Sequence, residues 1–279
     1  MGGGVRRKAL RLMAGALWPK LSRAWSYQMT SAEVKPWPAN LPPNRAFPPV
    51  TIVTPTYNRR KFIPWIIECI KSQTYPIERM EWLVYDDGTD NVEDIVTAAA
   101  SVINVRYFRS DIKLNIGAKR NRLNDEARGE LIVTMDDDDY YPPERVSHAV
   151  QILQSKDFQI CGSTRNTLFF SDNATIWETG PYAQYHATFG TMAYTRRYAA
   201  NHRCDETVTH AEELQFTNKF SEPLYQLDPR KVMLVMCHSQ NTFNKHALRT
   251  DTNPLIRKTT YKLKNIIRSV KLRDFYMTA

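Results

Sequence analysis

"ELIVTMDDDDYYPPE" occupies residues 130 to 144, where an apolar and β-branched run leads directly into four consecutive carboxylates. Such a run reads as a strand buried on both faces of a parallel sheet. Asp136, Asp137, Asp138 and Asp139 repel one another beside low-dielectric protein. The cluster must therefore be solvated or hold something positive. The sequel Tyr-Tyr-Pro-Pro-Glu favours the second reading, because it reads as a fixed loop leading into a helix near Glu144.

The same alternation appears upstream. "VTIVT" (50–54), "EWLVYDD" (81–87) and "NVRYFRS" (104–110) read as strands. Helical spacing follows each of them, over 60–73, 92–102 and 117–127. Strand and helix alternating four times predict an α/β domain with a mostly parallel, Rossmann-like sheet and helices on both faces. Beyond residue 155 the pattern loosens. Strands are expected in "QICGSTRNTLFF" and "ATIWETG", with a hairpin around Ser171-Asp172-Asn173, then in "TMAYTRR" and in "KVMLVMCH" (231–238). A helix is expected over 211–220. This half reads as a smaller, mixed subregion that walls a cleft.

The charge sits mainly at the two ends. The formal net charge is +9, yet Arg6, Arg7, Lys8, Arg11, Lys20 and Arg23 precede any acid. Arg257, Lys258, Lys262, Lys264, Arg268, Lys271 and Arg273 face only Asp274 at the other end. A nucleic-acid module would gather such residues on one folded face, so no nucleic-acid partner is expected. Leu10, Ala14, Leu17, Leu21 and Trp25 recur at helical spacing, as do Leu263, Ile267 and Val270 with Ile266 beside them. Each basic helix reads either as docked on an anionic membrane surface or as packed on the domain. The Pro-rich "KPWPANLPPNRAFPP" (35–49) marks a boundary. The expected division is 1–46 as a basic segment and linker, 47–246 as the main domain, and 247–279 as a basic helical tail. No run reaches the roughly 20 apolar residues of a spanning helix. The four cysteines show no CxxC spacing, which suits a reducing, cytoplasmic setting, with peripheral membrane contact left open.

In an open parallel sheet, ligands sit outside the carboxyl ends of the strands. Three strands there deliver Thr54-Pro55-Thr56-Tyr57-Asn58-Arg59, Asp86-Asp87-Gly88 and the acid cluster. At this point the chain resembles the family 2 glycosyltransferases of the GT-A fold, from about Val50 to about Asn244. The resemblance rests on "TIVTPTYNR", "QTYP", "WLVYDDGTDN", "NIGAKRNRLNDEARGELIVTMDDDDYYPPE" and the acid pair of "HAEEL". It implies an inverting transfer from a UDP- or GDP-sugar donor to a glycan, lipid-linked or protein acceptor, with Mn²⁺ or Mg²⁺. By position it implies Tyr57 and Asp87 flanking the base, Pro55 and Thr56 shaping that pocket, and Arg120 near the diphosphate. Asp136 and Asp138 would be the metal ligands of an Asp-x-Asp pattern. Asp137 is the variable position between them, counted with the donor-binding residues. Alternate residues of an extended segment share a side, which would aim Asp136 and Asp138 together. Asp139 either meets the sugar or holds the loop. Glu213 matches the base, with Glu212 as alternative, and His238 a late metal ligand. Lys119 and Arg122 read as the solvated face of an amphipathic helix. Trp177, Tyr182, Tyr185 and "FGTMAY" are acceptor-side candidates. The rival class is a metal-dependent nucleotidyl- or phosphoryl-transferring enzyme, although no GxxxxGK[ST] loop is present.

Overall fold

Four parallel strands form the centre of the molecule: β1 (Val50–Thr56), β2 (Met80–Asp86), β3 (Asn104–Arg109) and β4 (Leu131–Thr134). The computed structural model describes residues 37–238, 241, 245–249 and 253–278. The expected basic helix of the first 25 residues lies outside them. Every residue of β1, β2 and β4 is buried, as expected of strands covered on both faces. The register sets Ile52 between Trp82 and Val133. Between the strands run α1 (Ile63–Lys71), α2 (Glu93–Ala98), α3 (Ile116–Glu126) and, after β4, α4 (Arg145–Ser155). The expected mostly parallel α/β sheet is present.

The second half adds β5 (Ile160–Gly162), β6 (Asn166–Phe170), β7 (Thr175–Thr179) and β8 (Ala193–Thr195). After them come α5 (Arg196–Asn201), α6 (Glu213–Phe216), β9 (Tyr225–Gln226) and β10 (Leu234–Cys237). A seven-stranded sheet runs β3-β2-β1-β4-β8-β5-β9, with β8 antiparallel to both its neighbours. A four-stranded sheet runs β10-β6-β7-β11, where β11 is Ile256–Lys258. The β6–β7 hairpin turns at the expected place.

Two helices differ from expectation. The segment 211–220 is helical only over α6, because Asn218, Lys219 and Phe220 all adopt positive φ, and a left-handed run cannot continue a right-handed helix. The C-terminal helix is broken into α7 (Leu263–Ile266) and α8 (Val270–Thr278). Ser269 Oγ accepts from Leu272 N–H, a helix N-cap that starts a new element. Val270 is consequently 60% exposed while Ile267 is buried.

Residues 256–278 contribute β11 to the small sheet and pack α8 on the core. Phe275 stacks on Trp65 at 4.3 Å, and the Tyr276 hydroxyl donates to the Asp139 carbonyl at 3.0 Å. The Pro-rich passage is also tied down: Trp37 Nε1 donates to the Glu78 carbonyl at 3.1 Å. Among the described residues no helix is long and apolar enough to cross a membrane.

Candidate active site

A cleft of about 1080 Å³ opens at the carboxyl edge of the parallel strands, and most of the expected residues line it. Pro55, Thr56 and Tyr57 close β1, all four aspartates follow β4, Arg120 comes from α3, and Glu212 and Glu213 from the start of α6. The turn after β2 is tight. Gly88 N–H donates to Asp86 Oδ1 at 2.8 Å, and a Cβ on Gly88 would stand 2.5 Å from the Asn58 amide nitrogen. Asp86 also accepts from the Tyr107 hydroxyl at 2.7 Å, so it ties the loop together.

The nucleotide-side residues form a layered cluster. Lys113 Nζ lies 4.1 Å from the centroid of the Tyr57 ring, a cation–π distance. Lys119 Nζ lies 5.6 Å from the same ring and donates to Asp87 Oδ1 at 2.7 Å and to the Thr56 carbonyl at 3.1 Å. Lys119 is therefore buried, not a solvated surface residue, because a carboxylate from β2 neutralises it. Asp87 accepts the Leu114 N–H at 2.7 Å through its other oxygen. It lies behind the cleft wall and holds Lys119 beneath Tyr57.

The acid run is a turn rather than an extended strand, so its four carboxylates meet four different surroundings. Asp136 accepts two bonds from the Arg120 fork, at 3.0 and 3.2 Å. Asp137 accepts from the Thr56 hydroxyl at 2.6 Å. Burial and the charge of Asp138 push its carboxyl well above the usual range despite that bond. Asp138 Oδ2 lies 3.2 Å from His238 Nε2, 3.3 Å from Asn241 Nδ2 and 3.6 Å from Arg59. Burial alone would raise its carboxyl, but the His238 hydrogen bond, Lys245 and Arg59 hold it well below the usual range. Asp139 accepts the Met236 N–H at 2.8 Å. Burial, against the opposing charge of Lys245 and with the Asp138 charge beside it, pushes its carboxyl up to about 7. The Met236 bond ties the acid loop to β10, and Asp139 also lines the cleft.

Arg120 is committed. Its Nε donates to Glu212 at 2.7 Å, and the guanidinium covers the Phe189 ring at 4.1 Å. Glu212 and Asp136 are thus locked to one cation. Glu213 lies next door in the cleft wall, half-buried, and burial followed by the Glu212 charge pushes its carboxyl up to about 7. A carboxylate so tuned accepts a proton near neutral pH.

Asp136, Asp138 and His238 were expected as metal ligands. The structure brings the second and third together, while Asp136 turns to Arg120, and no three acid, His or Cys groups converge among the described residues. A carboxylate paired with an imidazole, with a second carboxylate in the same wall, suits Mn²⁺ or Mg²⁺ once a diphosphate adds its oxygens. Asp138 already draws the Arg59 cation, which shows that the position attracts positive charge.

Sequence reasoning missed Lys113, Lys119 and Lys245. Lys245 Nζ donates to the Met236 carbonyl at 3.2 Å, and the charges of Asp139 and Asp138 raise its pKa against the lowering effect of burial. No local pattern marks it. Of the acceptor-side aromatics, Tyr182 and Phe189 line the cleft; Trp177 and Tyr185 do not.

The family model "Glycosyl transferase family 2" matches residues 51–214. A poly(ribitol-phosphate) beta-N-acetylglucosaminyltransferase, TarS, of Staphylococcus aureus is 29% identical over 107 residues, 37% of this chain and 18% of that protein. An undecaprenyl-phosphate 4-deoxy-4-formamido-L-arabinose transferase of Yersinia enterocolitica is 30% identical over 122 residues, 42% of this chain and 36% of that one. The matched region thus spans well under half the length of these relatives. TarS 1-349 in complex with UDP-GlcNAc superposes with a TM-score of 0.52 at 20% identity, covering 67% of this chain and 58% of that one. A mannosyltransferase of Pyrobaculum calidifontis in complex with GDP-Man and Mn²⁺ gives 0.57 at 18% identity, covering 74% and 62%. At these identities the likeness is one of fold.

Proposed function

The chain belongs to glycosyl transferase family 2 and is a glycosyltransferase of GT-A fold, and on that premise we propose a metal-dependent, inverting transfer from a nucleoside-diphosphate sugar to an acceptor hydroxyl. The observation that carries this reading is the meeting, in one cleft, of Tyr57, Asp138 and Glu213, with His238 buried behind Asp138 at 3.2 Å. The two superposed structures hold UDP-GlcNAc and GDP-Man, which supports a UDP- or GDP-sugar as donor.

In this reading the base stacks on Tyr57, in a pocket shaped by Pro55 and Thr56 and backed by Lys119 on Asp87. Arg59 and Lys245 face the diphosphate. Arg120 keeps Asp136 and Glu212 in place rather than touching phosphate itself. Asp138 and His238, with Asp136 in the same wall, would hold a divalent cation, which supplies charge neutralisation for the departing diphosphate. Glu213 takes the proton of the acceptor hydroxyl as that oxygen bonds to the anomeric carbon. The bond to the diphosphate breaks on the opposite face, its electron pair leaving with the nucleotide, so the configuration inverts. A base of this kind contributes about 10²- to 10⁴-fold. The acceptor, a glycan, lipid-linked or protein hydroxyl, enters past Tyr182. The basic C-terminal segment makes peripheral contact with an anionic membrane surface.

A thermal-shift panel of nucleoside diphosphates with and without Mn²⁺ tests the donor assignment. One base should be preferred, with stabilisation that depends on the metal and disappears in Asp138→Ala. Equal, metal-independent responses for every nucleotide would contradict it. The anomeric coupling of the product, read by proton NMR, decides between inversion and retention.

A further inference from the structure

We propose that the small sheet carries a second binding site on its back face, for a single anionic lipid drawn from a membrane surface. Successive side chains of a strand point to opposite faces, and β6 and β10 use both. Asn166, Leu168 and Val235 line the cleft, whereas Thr167 and Leu234 line a neighbouring cavity of about 390 Å³, with Met233 as the wall between the two. That volume falls within the roughly 300–1,000 Å³ of small-molecule sites. The cavity is walled by Pro142 and Pro143 after the acid run and by Ile266 and Leu272 of the C-terminal helices. It is an apolar slot unrelated to the diphosphate chemistry.

Its mouth is cationic. Lys231, Arg268 and Arg230 line it against Glu144 as the single acid, with Arg230 partly spent on Asp228 at 3.1 Å. The segment around it, 253–278, holds seven basic residues and one acid. It also presents Leu255, Tyr261, Val270 and Met277, each more than a third exposed. Apolar groups projecting from a basic surface are the composition that lies on anionic lipid. Charge also selects the occupant. The charged residues of 1–25 are all basic, and a second copy would bring the same basic face, so neither complements this mouth. An anionic headgroup over an apolar tail does. The proposal rests on the membrane contact suggested above and adds to it a defined slot. Tyr140, which follows Asp139 and pairs with Leu234, forms part of the wall, so a seated lipid would touch the acid loop from behind.

The test uses the full chain and two kinds of probe. Dihexanoyl-phosphatidylglycerol, kept monomeric, should give a saturable one-site calorimetric titration. Asn265→Trp, which fills the mouth from an exposed helix position, and Arg268→Glu should each weaken it at least tenfold. Lys156→Glu, just past the end of α4 and lining neither cavity, should leave it unchanged. Dihexanoyl-phosphatidylcholine should bind far more weakly, and inorganic phosphate should neither bind nor compete. Equal affinity in Asn265→Trp would overturn the proposal, as would competition by phosphate alone. A concentration-dependent dimer lost in Asn265→Trp, without lipid binding, would give the cavity to a second copy instead. Co-sedimentation with phosphatidylcholine vesicles, with or without phosphatidylglycerol, separates the two layers. Vesicle binding without monomer binding removes the slot and leaves the membrane contact. Binding of neither removes both.

Discussion

Carboxylates stand at both ends of the same parallel strands, fully buried at one end and half-buried at the other, and they are held in opposite ways. At the amino end, Glu81 of β2 accepts from the Thr51 hydroxyl at 2.6 Å and the Arg128 N–H at 2.8 Å, with Arg106 3.8 Å away. Its partners join β1, β2 and the loop before β4, and it lines neither cavity. At the carboxyl end, Asp136 and Asp138 line an open cleft, the first held on the Arg120 fork and the second against Arg59 and the buried His238 imidazole. The first arrangement fixes the chain. In the second, the 3.6 Å contact of Arg59 with Asp138 can give way to an incoming cation without breaking the sheet. Glu81, the most deeply buried of these acids, lies away from the cleft, so burial alone does not mark a candidate site acid.

The comparison breaks if the wrong end proves catalytic. Asp138→Ala should abolish measurable sugar transfer together with the Mn²⁺ dependence of nucleotide binding, read by product formation and thermal shift. Glu213→Gln should lower turnover by about 10²- to 10⁴-fold while nucleotide affinity stays intact in a calorimetric titration. In the wild type, turnover should rise with pH and flatten above about 7 as Glu213 loses its proton; a flat profile from pH 5 to 9 would unseat it as base. Glu81→Ala should do the reverse. Stranding a buried hydroxyl and a backbone N–H costs about 1–3 kcal/mol each, so denaturant melts should report a clear loss while turnover at low temperature is unchanged. The smallest effect sharpens the contrast. A carboxyl whose folded pKa is raised binds its proton more tightly in the native state. Its stabilising contribution is full below the ordinary carboxylate range and is lost as pH climbs through about 7. Glu213→Gln should accordingly melt a few degrees higher than wild type at pH 8 and show no gain at pH 4, the pattern of a site that trades stability for chemistry.

The parallel half was legible because its signals are local. "VTIVT", "EWLVYDD" and "ELIVTM" carry their own burial, and the acids that end the last two announce an edge. The cations around the cleft were less so. Lys119 looked solvated on helical spacing, and only the distant Asp87 makes its burial tolerable. Lys245 carries no motif, and its role arises from Asp138 and Asp139, more than a hundred residues earlier. The extended geometry expected for Asp136 to Asp138 gave way to a turn because Thr56 and Met236 N–H anchor Asp137 and Asp139 from separate strands. Helix α6 ends in a left-handed run whose Phe220 meets the distant His186, and the C-terminal helix breaks at the Ser269 cap, with Ile267 buried just before it.

The most direct test is an anomalous-difference map from crystals grown with Mn²⁺ and the preferred nucleoside diphosphate. The account predicts one strong peak joining Asp138 and His238 to the diphosphate, with Glu81 untouched at the far end of the strands. A diphosphate seated in the cleft without a metal, or a peak away from Asp138, would contradict it.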